Sequence, residues 1–328
     1  TGTNLLVGDP GNPFNAGTIP VGLTYVFDVE SGDELRILQP DDGFAGDEFG
    51  FGLNADGDTA IVGAPHYGEG PGAAYLFDIS TGNQLRKLVP NDPLNGAEFG
   101  ADVAVSGNYA IVGAPGNYDT LGCESPEVSC PGFAYVFDVT TGQQLHKLVP
   151  SDSFGGDENL LGGDEFGFDV AIEGNVAVIG APYGGRGEGA AYLFDVVTGQ
   201  ELAKLSPSES SLGDDFGAAV DISNGRVLVG AKGQNSGPNG AAYLFDVQSF
   251  AQMKRFSVED TDAFGTAVSL TADLALVGSP RDDEIDLNAG AAYVLSVGLT
   301  GDFNGNGQLD AGDVDLLTQQ VKSGADMG

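Results

Sequence analysis

This sequence predicts an all-β fold built from repeated units, on three observations. A Val/Ile-Gly-x-Pro element recurs at Val7-Gly8-Asp9-Pro10, Val62-Gly63-Ala64-Pro65, Val112-Gly113-Ala114-Pro115 and Ile179-Gly180-Ala181-Pro182, with later copies Val229-Gly230-Ala231-Lys232 and Val277-Gly278-Ser279-Pro280. A Phe-Gly pair precedes five of the six, at Phe49, Phe99, Phe166, Phe216 and Phe264, and each Phe stands 14 residues before the Gly of the element that follows. A Tyr-x-Phe-Asp element recurs at Tyr25, Tyr75, Tyr135, Tyr192 and Tyr243, and decays to Tyr293-Val-Leu-Ser.

Each element is a short β-type run bounded by Gly, Pro, Asp or Asn. A fourth run, apolar-basic and ending at Pro, completes the unit, as in Leu85-Arg-Lys-Leu-Val-Pro90 and Leu145-His-Lys-Leu-Val-Pro150. Four strands in about 50 residues is the arithmetic of a propeller blade. Six copies predict a β-propeller of about six four-stranded blades over residues 1–298, followed by a separate segment, 299–328. Strands three and four are joined by Asp-x-x-Thr-Gly, as in Asp138-Val-Thr-Thr-Gly142. There Asp accepts from the turn backbone and Gly supplies a positive φ. No strand one precedes Val7 and no strand four follows Tyr293, so both end blades are expected to be short and to leave open edges.

The 53 glycines suit many tight turns, and 41% hydrophobic residues suit a substantial core. Against 48 acidic residues stand only 12 basic ones, for a net charge of −36. Such a surface is a poor partner for nucleic acid or anionic membranes and a better one for divalent cations or basic groups. No window approaches 18 uninterrupted apolar residues, so no membrane insertion is expected. The start Thr1-Gly-Thr-Asn has no basic region followed by an apolar stretch, so a leader is expected to have been removed or never present. Cys123 and Cys130 flank a short Pro-containing loop. A disulfide and a metal pair are both open to them. With no further Cys or nearby His to complete a site, the disulfide is favoured, and with it an oxidising compartment.

The Phe-Gly and Gly-Ala-Pro elements at fixed spacing resemble the FG-GAP repeat, which builds the integrin α-subunit propeller and many bacterial surface proteins. The resemblance covers about residues 4 to 297 and implies a β-propeller that is secreted or at the cell surface, engaged in adhesion. Several integrin repeats hold a calcium loop between strands one and two. Here that connection reads Asn54-Ala-Asp-Gly-Asp58, Ser106-Gly-Asn108, Glu173-Gly-Asn175, Ser223-Asn-Gly225 or Thr271-Ala-Asp273. These are ordinary turns, and integrin-type calcium sites are not carried over.

After Gly301 the composition changes. Asp302-Phe-Asn304-Gly-Asn306-Gly307-Gln308-Leu309-Asp310-Ala-Gly-Asp313 fits a twelve-residue EF-hand-like loop. Side-chain oxygens fall at positions 1, 3, 5, 9 and 12, Gln308 offers its backbone carbonyl at position 7, and Gly307 takes the sharp turn at position 6. The expected metal ligands are therefore Asp302, Asn304, Asn306, Gln308, Asp310 and Asp313, and the expected cofactor is Ca²⁺. With Asp at position 12 and Val314, Leu317 and Val321 at helical spacing after it, the segment resembles a dockerin type I repeat, in a single copy.

No catalytic residues are expected. His66 sits in a loop after Gly-Ala-Pro, and His146 takes a strand position held by Arg86 and Lys204 in sister repeats. No Gly-x-Ser-x-Gly elbow occurs, and there is no Trp for a sugar platform. Six tyrosines belong to the repeat; Tyr67, Tyr109, Tyr118 and Tyr183 remain, three of them in loops after strand two. The loops from strand four to the next strand one are acidic, as in Asp41-Asp42-Gly-Phe-Ala-Gly-Asp47-Glu48, Asp157-Glu158 and Asp164-Glu165. The sequence thus reads as an extracellular, calcium-binding structural or adhesion protein, a subunit of a surface matrix or filament, with a protein or glycan partner and self-association as the partner classes. The alternative is a carbohydrate-binding or polysaccharide-processing propeller.

Overall fold

In a computed structural model of the chain, the described residues are 4–11, 21–44, 46–65, 70–116, 132–152, 164–183, 188–209, 213–233, 240–258, 263–280 and 290–297. They form 22 strands in six antiparallel sheets, each a simple meander of neighbours in sequence. The first sheet holds β1 (Asn4–Asp9), β2 (Leu23–Asp28) and β3 (Glu34–Leu38), and the second β4 (Leu53–Asp56), β5 (Thr59–Ala64), β6 (Ala73–Asp78) and β7 (Gln84–Leu88). The third holds β8 (Val103–Ser106), β9 (Tyr109–Ala114), β10 (Phe133–Asp138) and β11 (Gln144–Leu148). The fourth holds β12 (Val170–Glu173), β13 (Val176–Ala181), β14 (Ala190–Asp195) and β15 (Gln200–Leu205). The fifth holds β16 (Phe216–Ser223), β17 (Arg226–Ala231), β18 (Ala241–Asp246) and β19 (Gln252–Phe256), and the sixth β20 (Ala267–Leu270), β21 (Leu274–Ser279) and β22 (Ala291–Ser296). The expected six-blade propeller is what forms, with three described strands in each end blade.

The first strands of blades two to six neighbour one another in the order β4, β8, β12, β16, β20, and so line the axis. Side chains on the faces of the second and third strands alternate between two junctions, as strand geometry requires. In blade two, Ala60, Val62, Tyr75 and Phe77 face blade one, while Ile61, Ala74 and Leu76 face blade three. The repeat Phe is the plug of each junction. Phe166 is fully buried, with its ring centroid 5.6 Å from Tyr192 and 5.8 Å from Phe194, both in edge-to-face geometry. Phe49, Phe99 and Phe216 repeat this packing on the Tyr and Phe of their own blades.

The two recurring glycines of the repeat meet across the junction between blades. A Cβ at Gly63, Gly113, Gly180 or Gly230 would lie 2.0–2.1 Å from the carbonyl oxygen of Gly100, Gly167, Gly217 or Gly265 in the following blade. Within a blade, Gly167 N–H donates to Gly180 O at 3.0 Å, which is the hydrogen bond that holds the 14-residue spacing constant.

At the rim, each outer strand is latched to the loop leaving the previous blade. Lys87, Lys147 and Lys204 pair with Asp42, Asp92 and Asp152 at 2.6, 2.5 and 2.6 Å and lie over Tyr75, Tyr135 and Tyr192. Gln84, Gln144 and Gln252 accept from the backbone N–H of Asp41, Asn91 and Ser208, also one blade back. The turns between strands three and four behave as their sequence predicts: Asp138 Oδ1 accepts from the Thr141 N–H at 2.7 Å, and Gly142 has φ +72°.

Candidate functional site

At the end where the first strands begin and the second strands stop, three blades enclose a cavity of about 380 Å³. Blade two contributes Glu48 and Phe51, blade three Glu98 and Asp102, and blade four Phe168 and Asp169, while Pro65 and Pro115 of the Gly-Ala-Pro elements close the wall between them. Phe51 is 58% exposed and Phe168 37%, so both rings present faces to solvent at an otherwise acidic mouth.

The residue before each repeat Phe has a left-handed backbone: Glu48, Glu98, Glu165, Asp215 and Ala263 have φ between 51° and 62°. Its carbonyl accepts the N–H three residues on, as Glu165 O does from Phe168 at 3.1 Å, making a tight turn that sets the Phe into its junction. Because Ala263 makes the same turn, the turn itself does not need a carboxylate. What the acids add is carboxyl groups, two of which, Glu48 and Glu98, line the cavity. Burial, then Glu98 and Asp215, push Glu165 up to about 7, with Lys232 opposing them. Lys232 replaces the Pro of its Gly-Ala-Pro element; its ammonium lies 3.8 Å from Asp215 and 5.8 Å from the centre of the Phe168 ring.

Deeper, the inner strands are tied by acidic side chains to the strand that follows. Asp102 Oδ2 accepts from Val170 N–H at 2.7 Å, Asp169 Oδ2 from Val220 N–H at 2.5 Å, and Asp221 Oδ2 from Leu270 N–H at 2.6 Å. Between blades two and three an amide does this work, Asn54 Oδ1 accepting from Val105 N–H at 3.1 Å. Burial raises Asp102 to about 6, and it raises Asp169 further because Asp102 shares a hydrogen bond with it and repels its charged form. Asp221 is also raised, chiefly by burial.

A pH dependence of stability follows. These carboxyls titrate higher in the folded chain than in the unfolded one, so their stabilisation is complete below the ordinary carboxylate range and is lost as pH rises through about 6. The hairpin acids Asp28, Asp78, Asp138, Asp195 and Asp246 titrate below 3.8 because hydrogen bonds from their turns hold them charged, and they withdraw support only as pH falls below that value. The thermal midpoint is expected to be highest near pH 4 and to fall as pH rises from there through about 6. In Asp169→Asn, which removes one of the raised carboxyls and the charge that repels Asp102, that decline should flatten; a midpoint that still falls as steeply would refute the contribution of this pair.

The positions singled out from sequence fare unequally. Asp302, Asn304, Asn306, Gln308, Asp310 and Asp313 lie outside the described residues, as do Cys123, Cys130, His66, Tyr67, Tyr118, Asp157 and Glu158. His146 is on β11, where its Nε2 is 3.0 Å from Val197 O, a latch between blades three and four. Tyr183 is 38% exposed beside Glu165 and Asp215, and burial followed by those two charges raises its hydroxyl. Sequence reading passed over Asp102 and Asp169 altogether. Their signal was present: both stand three residues after a repeat Phe. Among the described residues no group of three or more His, Cys, Asp or Glu is placed to hold a metal ion. Nor is any helix there long and apolar enough to cross a membrane.

Five segments match the FG-GAP repeat: residues 33–77, 83–137, 143–194, 200–245 and 258–295, well over half of the chain. The chain belongs to the FG-GAP repeat family. Each FG-GAP segment begins near the outer strand of one blade and runs through the first three strands of the next, so the sequence unit straddles every junction. Among curated proteins none matches the chain.

Proposed function

We propose that this chain is an extracellular, non-enzymatic, calcium-binding protein of adhesion or matrix type, and that the cavity end of the FG-GAP propeller is where it engages a protein or glycan partner. The observation that carries this reading is the convergence of Glu48, Glu98, Asp102 and Asp169 from three blades with two exposed phenyl rings at one end of a rigid scaffold. Loops positioned by a scaffold are where recognition concentrates. Carboxylates beside aromatic faces suit a partner presenting cationic or polar groups. FG-GAP repeats fit the extracellular setting, as does the net charge of −36, which keeps a surface protein soluble and apart.

Calcium belongs to the C-terminal loop in this reading. The side-chain oxygens of Asp302, Asn304, Asn306, Asp310 and Asp313 and the backbone carbonyl of Gln308 would take a hard cation that prefers oxygen donors. Asp302→Ala is expected to abolish one calcium-binding event in calorimetry and to leave the unfolding transition of the propeller in place. Equal calcium uptake by both proteins would remove calcium from the proposal. Turnover of any acidic or neutral glycan by the purified chain would overturn the non-enzymatic reading.

A further inference from the structure

The residue two places after the repeat Phe lines the cavity in blades two, three and four, as Phe51, Ala101 and Phe168. Blades five and six have Ala218 and Thr266 there, so the ring recurs only at Phe51 and Phe168. One kind of tight turn presents both rings: Phe51 N–H donates to Glu48 O at 3.2 Å, and Phe168 N–H to Glu165 O at 3.1 Å. The junctions beyond the two rings are also alike. A Cβ at Gly63 would lie 2.0 Å from Gly100 O, and one at Gly180 2.1 Å from Gly217 O, so blade three approaches blade two as blade five approaches blade four. The acid before the next repeat Phe is Glu98 at one junction and Asp215 at the other. What differs is the residue brought by the second strand of the next blade. Lys232, two places after Gly230, stands where Pro115 stands after Gly113. The Lys232 ammonium lies 3.8 Å from Asp215 and 5.8 Å from the centre of the Phe168 ring, and its charge lowers the titration of Glu165. Pro115 brings no cation to Phe51, and at that junction Glu48, Phe51, Glu98 and Pro115 border open space, the cavity of about 380 Å³. Phe51 is also the more exposed of the two rings.

We propose that the corner of the cavity formed by Phe51, Glu48, Glu98 and Pro115 takes the side-chain ammonium of a lysine from a partner polypeptide, and that Lys232 is the chain's own occupant of the matching corner between blades four and five. The occupied corner supplies the description of the guest. It seats a cation over a phenyl face and beside a carboxylate, where the ring quadrupole and the anion attract it together. The cation is an ammonium on an unbranched stem, and so lysine rather than arginine is named: an ammonium is a compact charge, whereas a guanidinium needs a planar set of acceptors. The guest comes from another molecule because the position that delivers Lys232 holds a proline at this junction. With a net charge of −36 the chain favours the approach of a basic partner. The proposal rests on the reading of the cavity end as the binding face and deepens it, by naming the group that is bound and the residues that bind it.

The test titrates the full chain with Nα-acetyl-lysine methylamide in about 0.15 M salt, where diffuse attraction to the acidic surface is screened. Proton–carbon NMR spectra of the aromatic rings are the readout, with Phe51 and Phe168 assigned from their Ala variants. The Phe51 signals should move saturably while those of Phe168 stay in place, and the Nε-acetylated probe should move neither. Glu98→Gln should need at least about threefold more probe. Glu30→Gln removes the same charge from an exposed turn and should change nothing. In Lys232→Pro, which restores the residue of the sister repeats, and in Lys232→Ala, Phe168 should respond as well. A still Phe51, an equal response to the Nε-acetylated probe or an unchanged midpoint in Glu98→Gln would each overturn the lysine assignment. A still Phe168 in both Lys232 variants would overturn the matching of the two corners. The arginine analogue and a neutral disaccharide run in parallel. If either moves Phe51 and the lysine probe does not, the lysine assignment falls and the cavity remains the binding face; silence from all three removes the cavity from the proposed function.

Discussion

Gly180→Ala is expected to destabilise the folded chain by about 3 kcal/mol, although it adds a single methyl group to a residue with ordinary strand geometry. The new Cβ would sit 2.1 Å from Gly217 O and 3.1 Å from its carbonyl carbon. Both atoms are backbone of the neighbouring blade, so no side-chain rotation relieves the clash; the blades must separate, and the Phe216 plug between them loses its fit. Gly278→Ala is the internal control. It is the same residue of the same repeat element, yet its nearest neighbours are Ala267 atoms at 3.5–3.8 Å, because no described blade follows blade six. Its cost should stay within about 0.5 kcal/mol. Chemical denaturation of the two variants beside the parent chain measures both. Equal destabilisation would mean that the glycine serves strand conformation rather than the junction.

The second large effect is expected at the plug itself. Phe166→Ala removes a fully buried ring that packs against Tyr192 and Phe194 at once and joins the core shared by blades three and four. The loss should be about 3–5 kcal/mol, since two β-sheets cannot collapse into the space without breaking the latches of His146 and Lys204 at the rim. Two residues on, Phe168 is exposed and holds no junction, so Phe168→Ala should cost no more than about 1 kcal/mol while stripping one aromatic wall from the cavity. A Phe168→Ala variant as unstable as Phe166→Ala would move the plug role to the wrong residue. If instead both are mild, the junction depends less on the aromatic than its burial implies.

Much of the architecture was legible in the chain before any coordinates, and for a physical reason. Strand length, alternation and hairpin chemistry are local, so Tyr75-Leu-Phe-Asp78 and Asp138-Val-Thr-Thr-Gly142 announce a strand and a turn wherever they occur, and copies at a constant spacing announce blades. The candidate calcium ligands at Asp302 to Asp313 were likewise read from local spacing alone.

What the tertiary structure decided concerns pairs of residues that are far apart in sequence. Nothing local says that Gly180 touches Gly217, that Asp102 ties down Val170 and is buried against Asp169, or that Glu48, Glu98 and Phe168 border one cavity. Among so many acids, Asp102 was indistinguishable from a solvated surface carboxylate until the ring of inner strands enclosed it. The repeat determined that blades form, because each strand pairs with its neighbour in sequence. Which side chains meet between blades, and hence where charge is buried, was decided by packing one sheet against the next.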